Sequence, residues 1–346
     1  MKYRLYKLQF LSPIHFGSDT VGTSLEEADL ICHSDTFFSA LCSEYIKLNG
    51  YKTLDDIEFK KLFDNNDLLI SSLFPYKNNS FYIPRPMIIS EKNTSDNNTD
   101  NSEKDKKHDR KAMKKISYIQ ISHIQNYLKG VKNNDNSFLD FLENIKELED
   151  YNNFAKYSLI QKVGLRNNDE KNALYDVGAY YFNVGCGLYF ILGYKSDSNL
   201  KLFESVLESL KYSGIGGKRT SGYGLFEYKV EEDINMFEFE NKNESNYKML
   251  LSLYSPFDDS KEDKLCELSN IDFNKSYYSL IKRNGFIYSP IHGKNLIKRK
   301  SLSMFKEGSC FYVKDDIKGY VLNVNNKDRQ GNVYRYGKAL CIYINF

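Results

Sequence analysis

Between residues 214 and 224 the chain reads Gly214-Ile215-Gly216-Gly217-Lys218-Arg219-Thr220-Ser221-Gly222-Tyr223-Gly224, five glycines in eleven residues. Glycine tolerates positive φ and lets another group approach the backbone closely, so this stretch suits neither a helix nor a strand interior. Its flanks narrow the choice of fold. Upstream, Leu200 to Tyr212 carries Leu202, Phe203, Val206, Leu207 and Leu210 on one helical face; downstream, Gly224 to Val230 reads as a strand. The order is helix, glycine loop, strand. Exposed N–H groups beside Lys218, Arg219, Thr220 and Ser221 would make a cradle for phosphates. The Gly-x-x-x-x-Gly-Lys-Ser/Thr spacing of a P-loop is absent, and the loop follows a helix instead of opening one, which also excludes a dinucleotide fingerprint. A plain helix-to-strand connection seldom needs five glycines and two adjacent cations, so the phosphate reading is preferred.

Elsewhere the pattern is regular. Tyr3 to Leu11 alternates as a strand, ended by Ser12-Pro13, and Pro13 to Thr23 reads as a loop. A helix is expected from about Asp35 to Leu48, with Ser34 or Asp35 as N-cap and a stripe of Phe37, Phe38, Leu41, Cys42, Tyr45 and Leu48 before Gly50. Tyr82 to Pro86 is extended and stiffened by proline, while Ala179 to Gly193 should contain a buried strand. Residues 90–115 hold almost no apolar side chain, cannot repay the entropy of ordering, and read as a solvated, disordered insertion. Strand, helix, long insertion, strand, helix, glycine loop and strand together suggest a βαββαβ ferredoxin-like unit with a large insertion.

The 346 residues, 41% of them hydrophobic, can build one large domain or two of ordinary size. A composition shift near residues 232–246 favours two, at 1–235 and 246–346. Residues 227–280 carry 13 acids and 6 bases, net −7, whereas 281–346 carry 13 bases and 4 acids, net +9. The overall +2 conceals this separation and excludes only a uniformly basic coat. Strand-like runs at Met249 to Tyr254, Phe286 to Tyr288, Ser309 to Val313, Tyr320 to Val324 and Ala339 to Ile344 predict a second, strand-rich α+β domain. The six cysteines form no CxxC pair and read as buried thiols of a reducing compartment. With no signal-peptide core and no membrane-length apolar run, a soluble cytoplasmic protein is expected. No histidine or carboxylate cluster has persuasive metal-ligand spacing, Asp258-Asp259 reads as an acidic turn, and neither metal nor cofactor is expected. The rings, Tyr 28 and Phe 23 with Trp 0, could fill the core or stack on bases.

The glycine loop resembles that of the RAMP proteins of CRISPR effector complexes. The stretch from Leu25 through Ala28-Asp29-Leu30 to His33-Ser34-Asp35-Thr36-Phe37-Phe38-Ser39-Ala40-Leu41-Cys42 is similar to a signature of the type III-A (Csm complex) subunit that binds the crRNA 5′ handle. So are Leu73-Phe74-Pro75-Tyr76, Tyr82-Ile83-Pro84-Arg85-Pro86 and Val333-Tyr334-Arg335-Tyr336-Gly337-Lys338-Ala339-Leu340. The resemblance implies two tandem RRM-like, ferredoxin-like domains that grip the handle. It further implies docking to the large polymerase/nuclease subunit and to the backbone RAMP subunits. Within an insertion at about 76–175 it implies a thumb hairpin that presses on the guide–target RNA duplex near the handle end, with Arg166 and Asn167 as candidates there.

Three functions follow as alternatives. The preferred one is a non-catalytic RNA-binding subunit, with His15, Phe16 and Gly17 in the first loop and Gly214, Gly216, Gly217, Lys218, Arg219, Thr220, Ser221, Gly222 and Tyr223 in the glycine loop as contacts. Tyr223 is the ring expected on the RNA side, while Tyr334, Tyr336 and the run Lys298-Arg299-Lys300 are equally readable as strand or solvated residues. The second is a metal-independent endoribonuclease, since His15 sits where RNA-processing RAMP enzymes place a general base. The third is a protein-only scaffold recruited through the acidic 227–280 segment.

Overall fold

The computed structural model describes residues 1–17, 25–50, 58–89, 116–133, 152–164, 173–231, 234–239, 245–257, 267–287, 297–325 and 332–346. Arg166 and Asn167, the 90–115 stretch, Cys266 and Asp258-Asp259 lie outside these residues. The chain begins with β1 (Lys2–Phe10), the short pair β2 (Phe16–Gly17) and β3 (Ala28–Asp29), and helix α1 (Ser34–Asn49). Next come α2 (Glu58–Asp64), β4 (Leu68–Ile70), β5 (Phe74–Lys77), β6 (Ser80–Pro84), β7 (Tyr118–Gln120) and α3 (Ile124–Asn133). A ten-pair hairpin, β8 (Ala155–Gly164) with β9 (Ala173–Phe182), precedes β10 (Cys186–Tyr194), α4 (Asp197–Ser213) and β11 (Phe226–Glu231).

Seven of these strands form one sheet in the order β11-β1-β10-β5-β6-β7, with β4 also pairing β10. Strand β10 is buried along its whole length because it is internal and covered on both faces. Period-two alternation sorts the two faces. Tyr6 and Leu8 of β1, with Leu188, Phe190 and Leu192 of β10, pack against Phe37, Phe38 and Leu41 of α1 and Phe203, Val206 and Leu207 of α4. Leu5, Tyr189 and Ile191 point the other way, into a cluster with Met249, Leu251, Leu340 and Ile342 from the second half. Helix α4 forms where the apolar stripe predicts it. The Ser196 side chain accepts from the Asn199 N–H at 3.3 Å to start it, and Gly214, at φ +74°, ends it.

The second half is built of strands: β12 (Tyr247–Leu250), β13 (Ile271–Tyr277), β14 (Leu280–Arg283), β15 (Phe286–Ile287), β16 (Ile297–Lys298), β17 (Leu302–Phe305), β18 (Cys310–Val313), β19 (Gly319–Asn323), β20 (Tyr334–Lys338) and β21 (Cys341–Tyr343). One sheet runs β13-β18-β12-β21; β14–β17, β15–β16 and β19–β20 are separate pairs. No α-helix follows Ser213 among the described residues, so they supply no helix for the RRM-like unit expected there. The described cysteines, Cys32, Cys42, Cys186, Cys310 and Cys341, form no disulfide. No described helix is long and apolar enough to cross a membrane.

The N-cap of α1 differs from expectation. The cap is His33, and Ser34 and Asp35 lie inside the helix with their side chains turned to the second half. The Leu253 N–H donates to Ser34 Oγ at 3.0 Å. Arg283 of β14 grips Asp35 with two bonds, Nε to Oδ2 at 3.0 Å and Nη2 to Oδ1 at 2.9 Å, and Arg335 of β20 donates through Nη1 to Oδ2. All three residues are at most 5% exposed. A capping role is lost because two buried guanidiniums need the carboxylate more than the helix end does. Burial opposes ionisation of Asp35, yet the charges of Arg283 and Arg335 hold its carboxyl well below the ordinary 3.8.

Asp35→Asn should therefore cost about 3–5 kcal/mol in urea-induced unfolding, the range for breaking a buried ion pair by removing one partner. Because the folded pKa is depressed, the stabilisation is complete above the unfolded value near 3.8 and drains as pH falls below it. The acid limb of a stability–pH curve should accordingly be shallower in Asp35→Asn than in the wild type.

Candidate RNA interface

The glycine loop folds back on the first loop. Gly217 N–H donates to His15 O at 2.8 Å, Gly224 N–H to Pro13 O at 2.9 Å, and Ile215 N–H to Gly224 O at 3.0 Å. A Cβ on Gly216 (φ +96°) would lie 2.7 Å from His15 O, and one on Gly217 would lie 2.7 Å from the His15 ring. A Cβ on Gly224 would fall 2.0 Å from Ile215 O. These glycines are required by close contact within the protein. A short 3-10 turn at Arg219–Ser221 follows Lys218, itself at φ +59°, and Thr220, Ser221 and Gly222 form an exposed rim.

Beside this contact opens a cavity of about 180 Å³. Phe16, Gly17, Gly216, Gly217 and Arg219 form one wall. The start of α1 forms another with His33, Thr36, Ser39 and Ser43, and Arg283 and Arg299 close it from the second half. Asp29 is the one carboxylate in the lining, and because Arg283 is already paired with Asp35, the charge offered to an anion comes from Arg219 and Arg299. Residues from both halves are needed to complete it.

Residues 7–227 match the model of the RAMP superfamily, and residues 243–344 match that of the CRISPR Csm4 C-terminal domain. The chain belongs to the RAMP superfamily. It is 26% identical over 341 residues to a Streptococcus thermophilus protein described as CRISPR system Cms protein Csm4, covering 98% of each chain. A Methanocaldococcus jannaschii protein of the same description is 29% identical, covering 94% of this chain and 89% of that one. Among solved structures, a chain of a Csm3–Csm4 subcomplex in the type III-A CRISPR-Cas interference complex matches with TM-score 0.63 at 23% identity, covering 100% of both chains. A chain of a Csm1–Csm4 cassette in complex with pppApA matches with TM-score 0.56 at 15% identity, covering 99% and 98%. The RAMP resemblance of the glycine loop is borne out by the superfamily match over residues 7–227.

In this RAMP protein the expected residues divide into two groups. Phe16, Gly17, Gly216, Gly217 and Arg219 meet at the cavity, and His15 lies behind them, 6% exposed, its Nδ1 bonded to Gly178 O of β9 at 2.7 Å. That carbonyl can only accept, so Nδ1 carries the hydrogen. Lys218 turns away from the cavity, its Nζ 4.8 Å from the Tyr175 ring centroid near the turn end of the hairpin. Tyr223, expected on the RNA side, is 4% exposed, packed with Val177 and Ala179 and covered by Lys162 Nζ at 4.5 Å. Its apolar ring packs on the middle of the hairpin and presents no open face to a nucleobase. Tyr336 is likewise core, its hydroxyl bonded to the backbone of Ile70, and Lys60 covers Tyr334 at 3.9 Å.

Sequence reasoning missed Arg283, which follows Lys282 in a four-residue strand, and His33 as a lining residue. Arg299 was flagged only as the middle of a basic run. Among the described residues no group of three or more His, Cys, Asp or Glu is placed to hold a metal ion.

Gly216→Ala should lower thermal stability by about 1–3 kcal/mol, because a methyl group there collides with His15 O and the Phe16 ring. Gly17→Ala meets nothing within 4 Å and should stay within about 0.5 kcal/mol of wild type in the same melting experiment.

Proposed function

We propose that this RAMP protein is a non-catalytic RNA-binding subunit of a type III-A CRISPR interference complex, anchoring the 5′ handle of the crRNA. The observation that carries the reading is the composite cavity, where the glycine loop, the first loop and arginines of the second half converge. Single-stranded RNA is held chiefly by cations along its phosphates, and Arg219 and Arg299 at the cavity supply them. Arg219 and Arg299 would take phosphates, with Gly216, Gly217, Phe16 and Gly17 shaping the wall and Thr220, Ser221 and Gly222 lying along the rim.

The first half, with β11-β1-β10-β5 in that order and α1 and α4 on one face, is read as the ferredoxin-like unit. Hairpin β8–β9 is read as the thumb. Leu159, Val163 and Leu174 are each at least 50% exposed and share one of its faces, an apolar edge suited to press on the guide–target duplex near the handle end. Docking to the large polymerase/nuclease subunit and to the backbone RAMP subunits is proposed from relatives solved as Csm1–Csm4 and Csm3–Csm4 assemblies. A soluble, cytoplasmic setting is part of the same proposal. His15 supports positioning over catalysis, because its ring is enclosed between β9 and Gly217.

The test is binding of a labelled repeat-derived RNA to Arg219→Ala/Arg299→Ala over a range of salt. Two lost phosphate contacts should weaken binding and reduce the salt slope by about 1.4, at ~0.7 per contact on a single strand. Unchanged affinity and slope would remove the cavity from the interface. The same RNA incubated with wild type in EDTA should remain intact; cutting that disappears in His15→Ala would replace the binding role with an endoribonuclease.

A further inference from the structure

One buried group at the cavity is unused by a purely electrostatic grip. His33 is 6% exposed and lines the cavity, and its Nδ1 lies 2.9 Å from Glu307 Oε1, itself buried between β17 and β18. The same carboxylate oxygen accepts from Ser72 Oγ, whose own oxygen accepts from the Ser34 N–H at 2.8 Å. Burial opposes the charge on Glu307, but His33 and these hydrogen bonds hold its carboxyl below the ordinary value, so it is an acceptor. With that carboxylate as its partner Nδ1 carries the hydrogen, so whenever the ring is neutral Nε2 is an acceptor at the cavity that His33 lines. Such locking of one ring nitrogen by a carboxylate fixes both the orientation and the tautomer of the other.

An acceptor in a wall of arginines selects a particular ligand chemistry. The guanidiniums of Arg219 and Arg299 can only donate, and they match a phosphate. Nε2 requires a donor close to that phosphate. A cavity of about 180 Å³ is of a size for one sugar-phosphate unit. The ribose 2′-hydroxyl is the donor that accompanies a backbone phosphate in RNA and is missing from DNA. Resting on the RNA-binding reading above, we propose that the cavity takes one ribose-phosphate unit, the phosphate on Arg219 and Arg299 and the 2′-hydroxyl donating to His33 Nε2, so that His33 makes the site selective for RNA over DNA. Glu307 is then the positioning residue for His33.

The substitution that separates this role from a structural one is His33→Asn. An asparagine amide can still donate to Glu307 from near the Nδ1 position, but nothing replaces Nε2. Full-length wild type and His33→Asn are titrated with a repeat-derived RNA oligonucleotide and with its all-deoxy counterpart, and both proteins are melted. The wild type should prefer RNA. His33→Asn should lose about tenfold in RNA affinity, the worth of one hydrogen bond, while DNA affinity and melting temperature hold. An RNA-to-DNA ratio preserved in His33→Asn, or absent from the wild type, would overturn the 2′-hydroxyl contact and leave RNA binding standing. Failure of the wild type to bind either strand would overturn both. Should His33→Asn not fold, single 2′-deoxy substitutions scanned along the RNA against wild type decide the matter: one position must cost about tenfold, and a scan with no such position refutes the contact.

Discussion

A carboxylate between two buried arginines sets the geometry of everything downstream. Asp35 projects from the first turn of α1, and α1 is packed against α4 and the central sheet. Arg283 and Arg335 come from two separate strand pairs of the second half. Without the carboxylate two guanidiniums would face each other in a medium that screens them poorly, so the second half cannot sit on α1 except with this contact made. Arg283 also donates to Thr36 Oγ1 at 2.9 Å, and Arg335 to Asn284 O at 2.8 Å. Bonds of this number and direction fix orientation as well as distance. Because Arg283 borders the cavity, and the Arg299 N–H is tied to Gly285 O at 2.9 Å, the joint also sets where the cations of the site stand.

His33 and Ser34 extend the same logic by one residue each. Three consecutive polar side chains are buried at the start of one helix, and each is satisfied from across the molecule: His33 by Glu307, Ser34 by the Leu253 N–H, Asp35 by the two arginines. Buried polar groups are costly when left half-satisfied. A partly docked arrangement would strand several at once, so the joint discriminates strongly between the right seating and near misses. It also explains why an HSD-type signature reads as specific in sequence: its side chains are spent on the union of the two halves.

How far the sequence could be read tracks the length and regularity of each element. β1, α1, β10, α4 and β11 were legible because each is long enough to display a period and packs one face or both. The second half was legible only in part. Runs at β12, β15, β18, β19 and β21 were caught, but β13, β14, β16, β17 and β20 were not, since in strands of two to seven residues charge and apolar content mix. The cavity was half visible. Gly216, Gly217, Arg219, Phe16 and Gly17 were named from local sequence, whereas Arg283 and His33 enter it only through tertiary placement. Tyr223 shows the limit most clearly, because a tyrosine among glycines reads alike whether it packs on a hairpin or awaits a nucleobase.

The glycine loop carries the most consequential difference between what such a sequence suggests and what the fold does with it. A glycine count records that something comes close to the backbone, without recording what. Here the close neighbours of Gly216, Gly217 and Gly224 are His15 O, the His15 ring and Ile215 O, and the N–H groups of Gly217 and Gly224 are already donated to the first loop. The loop thus acts as a seat that brings Phe16 and Gly17 up to Arg219, and recognition in the proposed function passes from backbone amides to side chains. Amide cradles hold a phosphate whatever sugar it bears. Arginines and a tautomer-locked histidine can read the sugar as well, which is the property a site for one strand of RNA would need.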